Sequence, residues 1–302
     1  MLLRTLLSML LVPAACQAQE MLALPSGGPP SVEAGFNYGG AAGAFYRESR
    51  VAAAVPLGRL GPWALRASLN AAHLRSFEDG YFPGELYRVG ANVSARNGRL
   101  GWALGARSNS DRPFGAPDTE DLSADLTYVL STGTHRLLAG LNYSSQRSFW
   151  RGVPFPYILY SYLSDDTQFA LPFFLRTRLA RSWWLTLAYI PVKNGRAALR
   201  YETSPGNFTE LELYSRLEQY LPYGRPDKDQ RLYRYSCAAA LRRGLPLGRG
   251  FTAEAQAGYA FFNYYFTGEK FDDVNARTKL GPWPFAGLAV KFVPAGKPAA
   301  RR

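Results

Sequence analysis

The chain has 302 residues, 35 Lys and Arg against 23 Asp and Glu, and a formal net charge of +12. With 47% hydrophobic and 14% aromatic residues it is too rich in core-forming side chains for a disordered chain. Two His and two Cys leave too few ligands for a structural zinc site, which takes about four, mostly Cys and His. The basic residues are spread along the chain rather than gathered on one helix or arm. That distribution argues against nucleic acid as a partner.

Residues 1–18 read as an export signal. Arg4 supplies a short positive region, Leu6 to Val12 an apolar stretch interrupted by Ser8, and Pro13 breaks it before Ala14, Ala15, Cys16, Gln17 and Ala18. Small residues at Cys16 and Ala18 suit cleavage before Gln19. Lipid attachment at Cys16 is a second reading, although Pro13 stands where a bacterial lipoprotein usually has Leu. Cleavage would leave Cys237 as the one cysteine, so no intramolecular disulfide is available and the fold must rest on backbone pairing and packing. Beyond residue 18 no run approaches the ~20 apolar residues a membrane-spanning helix requires.

From about Val32 onward the chain alternates with a period of two, as half-buried strands do. Trp63, Leu65, Ala67, Leu69 and Ala71 share one face, with Arg66, Ser68 and Asn70 on the other. Tyr87 to Ala95 oppose Arg88 to Arg96 in the same way. The pattern returns in Leu100–Ala106, Leu122–Leu130, Leu137–Tyr143, Thr209–Leu217, Tyr233–Leu241 and Phe251–Phe261. Asn97-Gly98 marks a two-residue hairpin, because a type I′ turn needs positive φ at both positions. Thr132-Gly133-Thr134 makes another tight connection. The longer polar segments Ser76–Glu85, Asn109–Glu120 and Gln146–Pro156 lie between these turns. Short and long connections therefore alternate, as they do in an outer-membrane barrel and need not in a soluble sandwich. In the second half Ser164-Asp165-Asp166, Lys193-Asn194-Gly195 and Ser204-Pro205-Gly206-Asn207 read as turns, while Gln219–Asp229 is long where a short connection is due. The expectation is an all-β, antiparallel transmembrane barrel over residues 19–293 with about 14 strands, 12 to 16 being compatible, and a basic tail over 294–302. An exported soluble β-sandwich is the rival fold.

Leu60-Gly61-Pro62-Trp63 recurs as Leu280-Gly281-Pro282-Trp283. In a membrane both tryptophans would join an interfacial girdle with Trp150, Trp183, Trp184, Tyr157, Tyr160 and Tyr162. The final strand is more specific. Gly287, Val290 and Phe292 fall at the spacing of the carboxy-terminal assembly signal of bacterial outer-membrane proteins, although Phe285 replaces a usual polar residue and ten residues follow Phe292. On these residues, the signal segment and the alternating strands, the chain resembles the uncharacterised outer-membrane β-barrel families of Gram-negative bacteria. The resemblance implies an outer-membrane location, lipid as surroundings and insertion by the barrel-assembly machinery. It implies no particular substrate.

The polar faces carry Arg66, Arg88, Arg96, Arg99, Arg107, Arg136, Arg176, Arg178, Arg200, Arg216, Arg234 and Arg242, against Asp125, Glu202, Glu210, Glu212 and Glu254. Arginines turned to lipid would cost ~2–4 kcal/mol each at mid-membrane, so they belong inside the barrel or at its rims. An open bore so lined would pass small anions. A bore in which they pair with carboxylates would be closed, a structural or binding module. Gly90, Gly101, Gly105, Gly140 and Gly258 on the polar faces leave interior space, and no plug-sized segment precedes the first strand. His73 and His135 are the candidate imidazoles for acyl transfer, but no serine sits in a nucleophile elbow. Glu202, Glu210 and Glu212 read as an ionic network rather than a hydrolytic pair. No enzyme activity, cofactor or metal is expected.

Overall fold

The computed structural model describes residues 30–41, 44–76, 84–147, 151–171, 174–190 and 194–294. Residues 1–18, where an export signal is expected, Trp150 and residues 295–302 of the basic tail lie outside the described residues. One antiparallel sheet contains β1 (Ser31–Ala41), β2 (Ala44–Leu60), β3 (Trp63–Ser76), β4 (Glu85–Asn97), β5 (Leu100–Ser110), β6 (Glu120–Ser131), β7 (His135–Ser144) and β8 (Phe155–Leu163). It continues through β9 (Thr167–Leu171), β10 (Phe174–Ala180), β11 (Trp183–Ile190), β12 (Asn194–Ser204), β13 (Asn207–Tyr220), β14 (Arg231–Gly248), β15 (Phe251–Gly268), β16 (Ala276–Lys279) and β17 (Trp283–Phe292).

Each strand from β1 to β15 pairs with its neighbour in sequence. The short β16 and the longer β17 both pair with β15, at Tyr264–Thr267 and at Phe251–Ala260, and so share one position in the wall. The other edge of β17 pairs with β1, from Val32↔Phe292 to Gly39↔Phe285. The sheet is therefore a closed barrel of sixteen wall positions, at the upper limit of the sequence expectation. Closure gives every described strand except the short β16 a partner on both sides over at least part of its length.

Seven connections of two or three residues, from 61–62 between β2 and β3 to 249–250 between β14 and β15, lie at one end with the start of β1 and the finish of β17. At this turn end Gly98 takes φ 54, as the Asn97-Gly98 hairpin demands. The longer described stretches 111–119, 145–147, 151–154 and 221–230 lie at the opposite, loop end. Segment 221–230, which the sequence reading sets where a short connection is due, falls at the loop end, and the turn at Arg181-Ser182 is one that reading does not mark. Wall height is uneven: β14 and β15 have 18 residues each, whereas the hairpin of β9 and β10 has 5 and 7.

The outer face is apolar. Leu69, Leu104, Leu122, Ile158, Leu211, Leu241 and Leu288 point outward and are exposed. Near the turn end outward rings pair across strands: Trp63 with Trp102, Trp183 with Tyr201, Phe251 with Phe292. Tyr160 and Tyr162 join them around His135. Of the rings expected in a girdle, Trp63, Trp183, Tyr160 and Tyr162 point outward. The expectation does not hold for Trp184, Trp283 and Tyr157, which share faces with Arg200, Ala260 and Gly140 and point inside. Adjacent residues on a strand face opposite ways, so Trp183 and Trp184 cannot both face out.

The interior glycines do not hold open space. A Cβ on Gly140 would meet the ring of Tyr157 at 2.4 Å, and one on Gly258 would meet the ring of Phe285 at 2.4 Å. These two glycines each receive an aromatic ring from the neighbouring strand, whereas Gly90, Gly101 and Gly105 lie against the polar side chains of Asn70, Thr127 and Ser123. The ring over Gly140 carries its hydroxyl to Asp125, donating at 2.7 Å, and Asn142 donates to the same carboxylate at 2.9 Å. Gly140→Ala should displace Tyr157 and cost about 1–3 kcal/mol, the usual cost of overpacking. A lowered temperature for loss of the folded, fast-migrating band on gels would show it; an unchanged temperature would mean the ring has room to move.

Candidate functional site

The inward faces bring most of the sequence-predicted arginines together, but as members of ion clusters. Toward the turn end ten charges are linked without a break. Arg50 and Lys291 reach Glu33 at 2.9 and 3.5 Å, and Lys291 reaches Glu254 at 3.0 Å. Arg242 joins Glu254, Glu210 and Glu212 at 2.8, 3.1 and 3.5 Å. Arg196 reaches Glu210 and Glu212 at 2.9 and 2.7 Å, and Arg200 reaches Glu210 at 2.7 Å and Glu202 at 3.9 Å. Five cations meet five carboxylates.

A second cluster lies nearer the loop end. Arg88 on β4 binds Glu48 on β2 and Glu218 on β13, and Arg234 and Arg216 reach the same Glu218 at 3.3 and 3.9 Å. β4 and β13 are not neighbours in the sheet, so the Arg88–Glu218 pair crosses the interior. Apolar side chains from the same walls pack beside it: Leu74 and Leu86 from β3 and β4 meet Tyr220, Leu232 and Tyr265 from β13, β14 and β15. Sixteen strands ordinarily enclose a water-filled channel. Here this part of the interior is bridged by side chains.

The loop end is also drawn together. The backbone N–H of Leu221 donates to the Asn109 carbonyl at 2.7 Å, the Asn109 side chain donates to the Gln219 carbonyl at 3.1 Å, and Tyr223 N–H donates to Asp111 at 2.7 Å. Further along, Arg225 donates to the Asp118 carbonyl at 2.9 Å, Lys228 pairs with the Asp118 carboxylate at 2.7 Å, and Arg151 pairs with Asp229 at 2.6 Å. Segment 221–230 thus lies across the mouth against segment 111–119 and Arg151.

Of the other arginines, Arg107 pairs with Asp121 at 2.5 Å inside the barrel. Arg176 and Arg178 both lie 4.6 Å over the Trp184 ring, and Arg178 also reaches Asp166 at 2.9 Å by the turn end. Arg66 faces inward opposite Pro56 and Ser94, close to the turn end. Arg99 lies in the β4–β5 turn and Arg136 donates to the Gly133 carbonyl at 3.2 Å, so both are at the turn-end rim. Sequence reasoning missed Arg50, Glu33, Glu48, Arg196, Glu218 and Lys291. Their signal was a charge on a polar strand face; Arg50 and Arg196 find partners across their own hairpins, whereas the Arg88 contacts to Glu48 and Glu218 and the Lys291 contact to Glu33 join strands far apart in sequence.

Gly287, Val290 and Phe292 lie on the closing strand β17. Val290 and Phe292 face out, and Phe292 packs on Phe251 with centroids 4.6 Å apart. Gly287 faces in, where a Cβ would strike the Asn37 side chain at 1.9 Å. His73 stacks on Tyr87 at 4.7 Å with Glu85 3.8 Å away, and His135 Nδ1 lies 2.7 Å from the Tyr160 hydroxyl. Both are on the outer face.

No family profile and no curated protein matches the chain. Among solved structures, a porin mutant of Rh. blastica is similar at 11% identity, with 87% of this chain and 98% of that one covered and a TM-score of 0.36. An outer membrane channel from Pseudomonas putida F1 is similar at 10% identity, with 88% and 96% covered and a TM-score of 0.36. Likenesses this distant assign nothing to the chain beyond what its own strands show.

The mouth segment answers to pH through Asp118. A hydrogen bond from Lys228, helped by nearby Arg225, holds its carboxyl below the usual value of 3.8. A depressed carboxylate contributes stability above its unfolded pKa and loses it as the pH falls through the lowered value. Protease protection of 221–230 should therefore be unchanged from neutrality to about pH 4 and fall below it. Asp118→Asn should expose the segment at neutral pH. Cleavage beginning near pH 6 would show that another group holds it.

Proposed function

We propose that this chain crosses an outer membrane as a barrel and serves as a narrow passage for small anionic solutes, held closed by the ionic bridge in its interior. The apolar outer face and the rings at the turn end support the membrane reading, since no water-soluble fold gains from exposing Leu69, Ile158 and Leu288 together. The export segment and the closing strand support outer-membrane location and handling by the barrel-assembly machinery. Inward Arg176, stacked on Trp184 outside the two clusters, supports a preference for anions over cations. The reading includes no catalytic step, cofactor or metal.

The observation that carries it is the Arg88 bridge from β4 to Glu48 and Glu218. A half-buried guanidinium between two carboxylates locks geometry, and losing it removes the link from β4 to Glu48 and Glu218, the latter keeping Arg234 and Arg216 as partners. In planar bilayers the wild type should show small, infrequent openings that favour anions, and Arg88→Ala should give a larger and steadier conductance. A wide steady conductance in the wild type, unaltered by Arg88→Ala, would overturn the reading, as would cation selectivity. The mouth segment favours a second reading, a closed barrel acting as a binding or structural module; silence from both proteins would support it.

Assembly tests the membrane half separately. Phe292→Ala removes the outward ring of the closing strand and should lower the amount of heat-modifiable barrel in outer-membrane fractions. Soluble recovery of the wild-type protein from the periplasm would instead favour an exported soluble fold.

A further inference from the structure

Arg243 stands on the apolar outer wall near the turn end. Its neighbour Arg242 points inside to Glu210, Glu212 and Glu254, so Arg243 points out. The register places it in one outward row with Trp183, Tyr201 and Thr209, and the exposed Leu241 and Leu245 flank it on its own strand. Its guanidinium donates to the Thr209 hydroxyl at 3.1 Å and to the Asn207 side-chain oxygen at 2.7 Å. No described carboxylate pairs with it. A guanidinium has five N–H donors, so Arg243 retains donors and a whole positive charge for a partner outside the chain. The paired rings of Trp183 and Tyr201 in the same row mark the depth at which lipid headgroups lie.

The same sector of the outer wall contains an apolar hollow of about 870 Å³. Its floor is one register row of small residues, Gly195, Ser215 and Cys237, set between the exposed rings of Tyr189 and Phe262. Ala197 and Leu213 border it on the turn side. Along β13 the hollow runs from Leu213 to Ser215, four to six residues past Thr209. At ~3.3 Å per residue and a strand tilt of ~35–45°, that is about 10–15 Å deeper in a membrane than Arg243. Half of a ~30 Å hydrocarbon core is the same depth. A lipid with its headgroup at Arg243 would bring the end of an acyl chain to the hollow.

We propose that this sector binds one anionic phospholipid of the turn-side leaflet, its phosphate on Arg243 and one acyl chain running over Leu211 into the hollow. Arg181 and Arg249, exposed in the β10–β11 and β14–β15 turns, add positive charge on the water side of Arg243. They favour a headgroup with net negative charge over a zwitterionic one. The site rests on the membrane reading of the outer wall and holds whether or not the barrel conducts.

Full-length barrel in detergent would be titrated with phosphatidylglycerol or phosphatidylcholine of identical chains, with bound lipid and oligomeric state read by native mass spectrometry. The wild type should hold one phosphatidylglycerol in preference to phosphatidylcholine, and added salt should shrink the preference. Arg243→Gln should weaken phosphatidylglycerol binding about fivefold and phosphatidylcholine binding less. Ala197→Phe adds a ring on the outer side, where it crowds nothing inside the barrel, and should weaken both lipids alike. Equal binding of the two lipids by the wild type, or an undiminished preference in Arg243→Gln, would overturn the headgroup site. Undiminished binding in Ala197→Phe would overturn the acyl-chain seat, and a lipid-free dimer broken by that change would give the hollow to a second copy of the chain. Reconstitution into phosphatidylcholine vesicles separates this site from the reading it rests on. A barrel that inserts but shows no lipid preference overturns the site alone, whereas a protein that stays soluble without detergent overturns the membrane reading with it.

Discussion

Everything in this structure depends on the two-sided pairing of the last strand. β17 meets β15 along one edge and β1 along the other, and only this turns a long antiparallel sheet into a wall without edges. Once the backbone is satisfied within the wall, the outer face is free to be apolar and the inner face free to carry charge. The conventional arrangement of a globular protein, apolar inside and polar outside, is turned over for most of the circumference.

The inversion is incomplete, and where it stops is informative. Leu74, Leu86, Tyr220, Leu232 and Tyr265 form an ordinary apolar core inside the barrel near the loop end. Beside them stand charges with fixed partners. Apolar packing gives this region cohesion without direction, while the guanidinium of Arg88, committed to Glu48 and Glu218, sets which walls approach and how closely. The mouth segment then draws the same two sides together through backbone as well as side-chain hydrogen bonds. Three kinds of interaction converge on one narrowing, which a barrel serving as a wide sieve would not need.

Much of the wall was legible in the sequence. The eight segments with clean alternation are all strands, and Asn97-Gly98 and Thr132-Gly133-Thr134 are turns at the expected end. Legibility fails for β8 to β11, for a physical reason: Phe155, Tyr157 and Leu159 face the interior and are buried there, so both faces of β8 are apolar and its period vanishes. The inward arginines were legible as a set, since lipid would not tolerate them. Some partners were legible with them, Glu202, Glu210, Glu212 and Glu254, but Glu48 and Glu218 were not. Arg88 and Glu218 are 130 residues apart, and only the curvature of the closed sheet brings them within reach. Glycine misleads for a related reason: nothing local to Gly140 reveals that Tyr157 will lie over it.

The uneven height of the wall has a consequence for any bilayer around it. Strands of about 9–11 residues suffice to cross a membrane, and β14 and β15 exceed that while the β9–β10 hairpin falls short. A cylinder low on one side does not match a slab of uniform thickness. Either the long axis leans toward the low side, or lipids there shorten and crowd to cover it, at fractions of a kcal/mol per ångström. The lean has a fixed azimuth set by sequence, because the low hairpin and the tall strands occupy fixed positions around the ring. The barrel would therefore deform its surroundings in one direction, and two such barrels in one membrane would feel each other's orientation through the lipid before they touched.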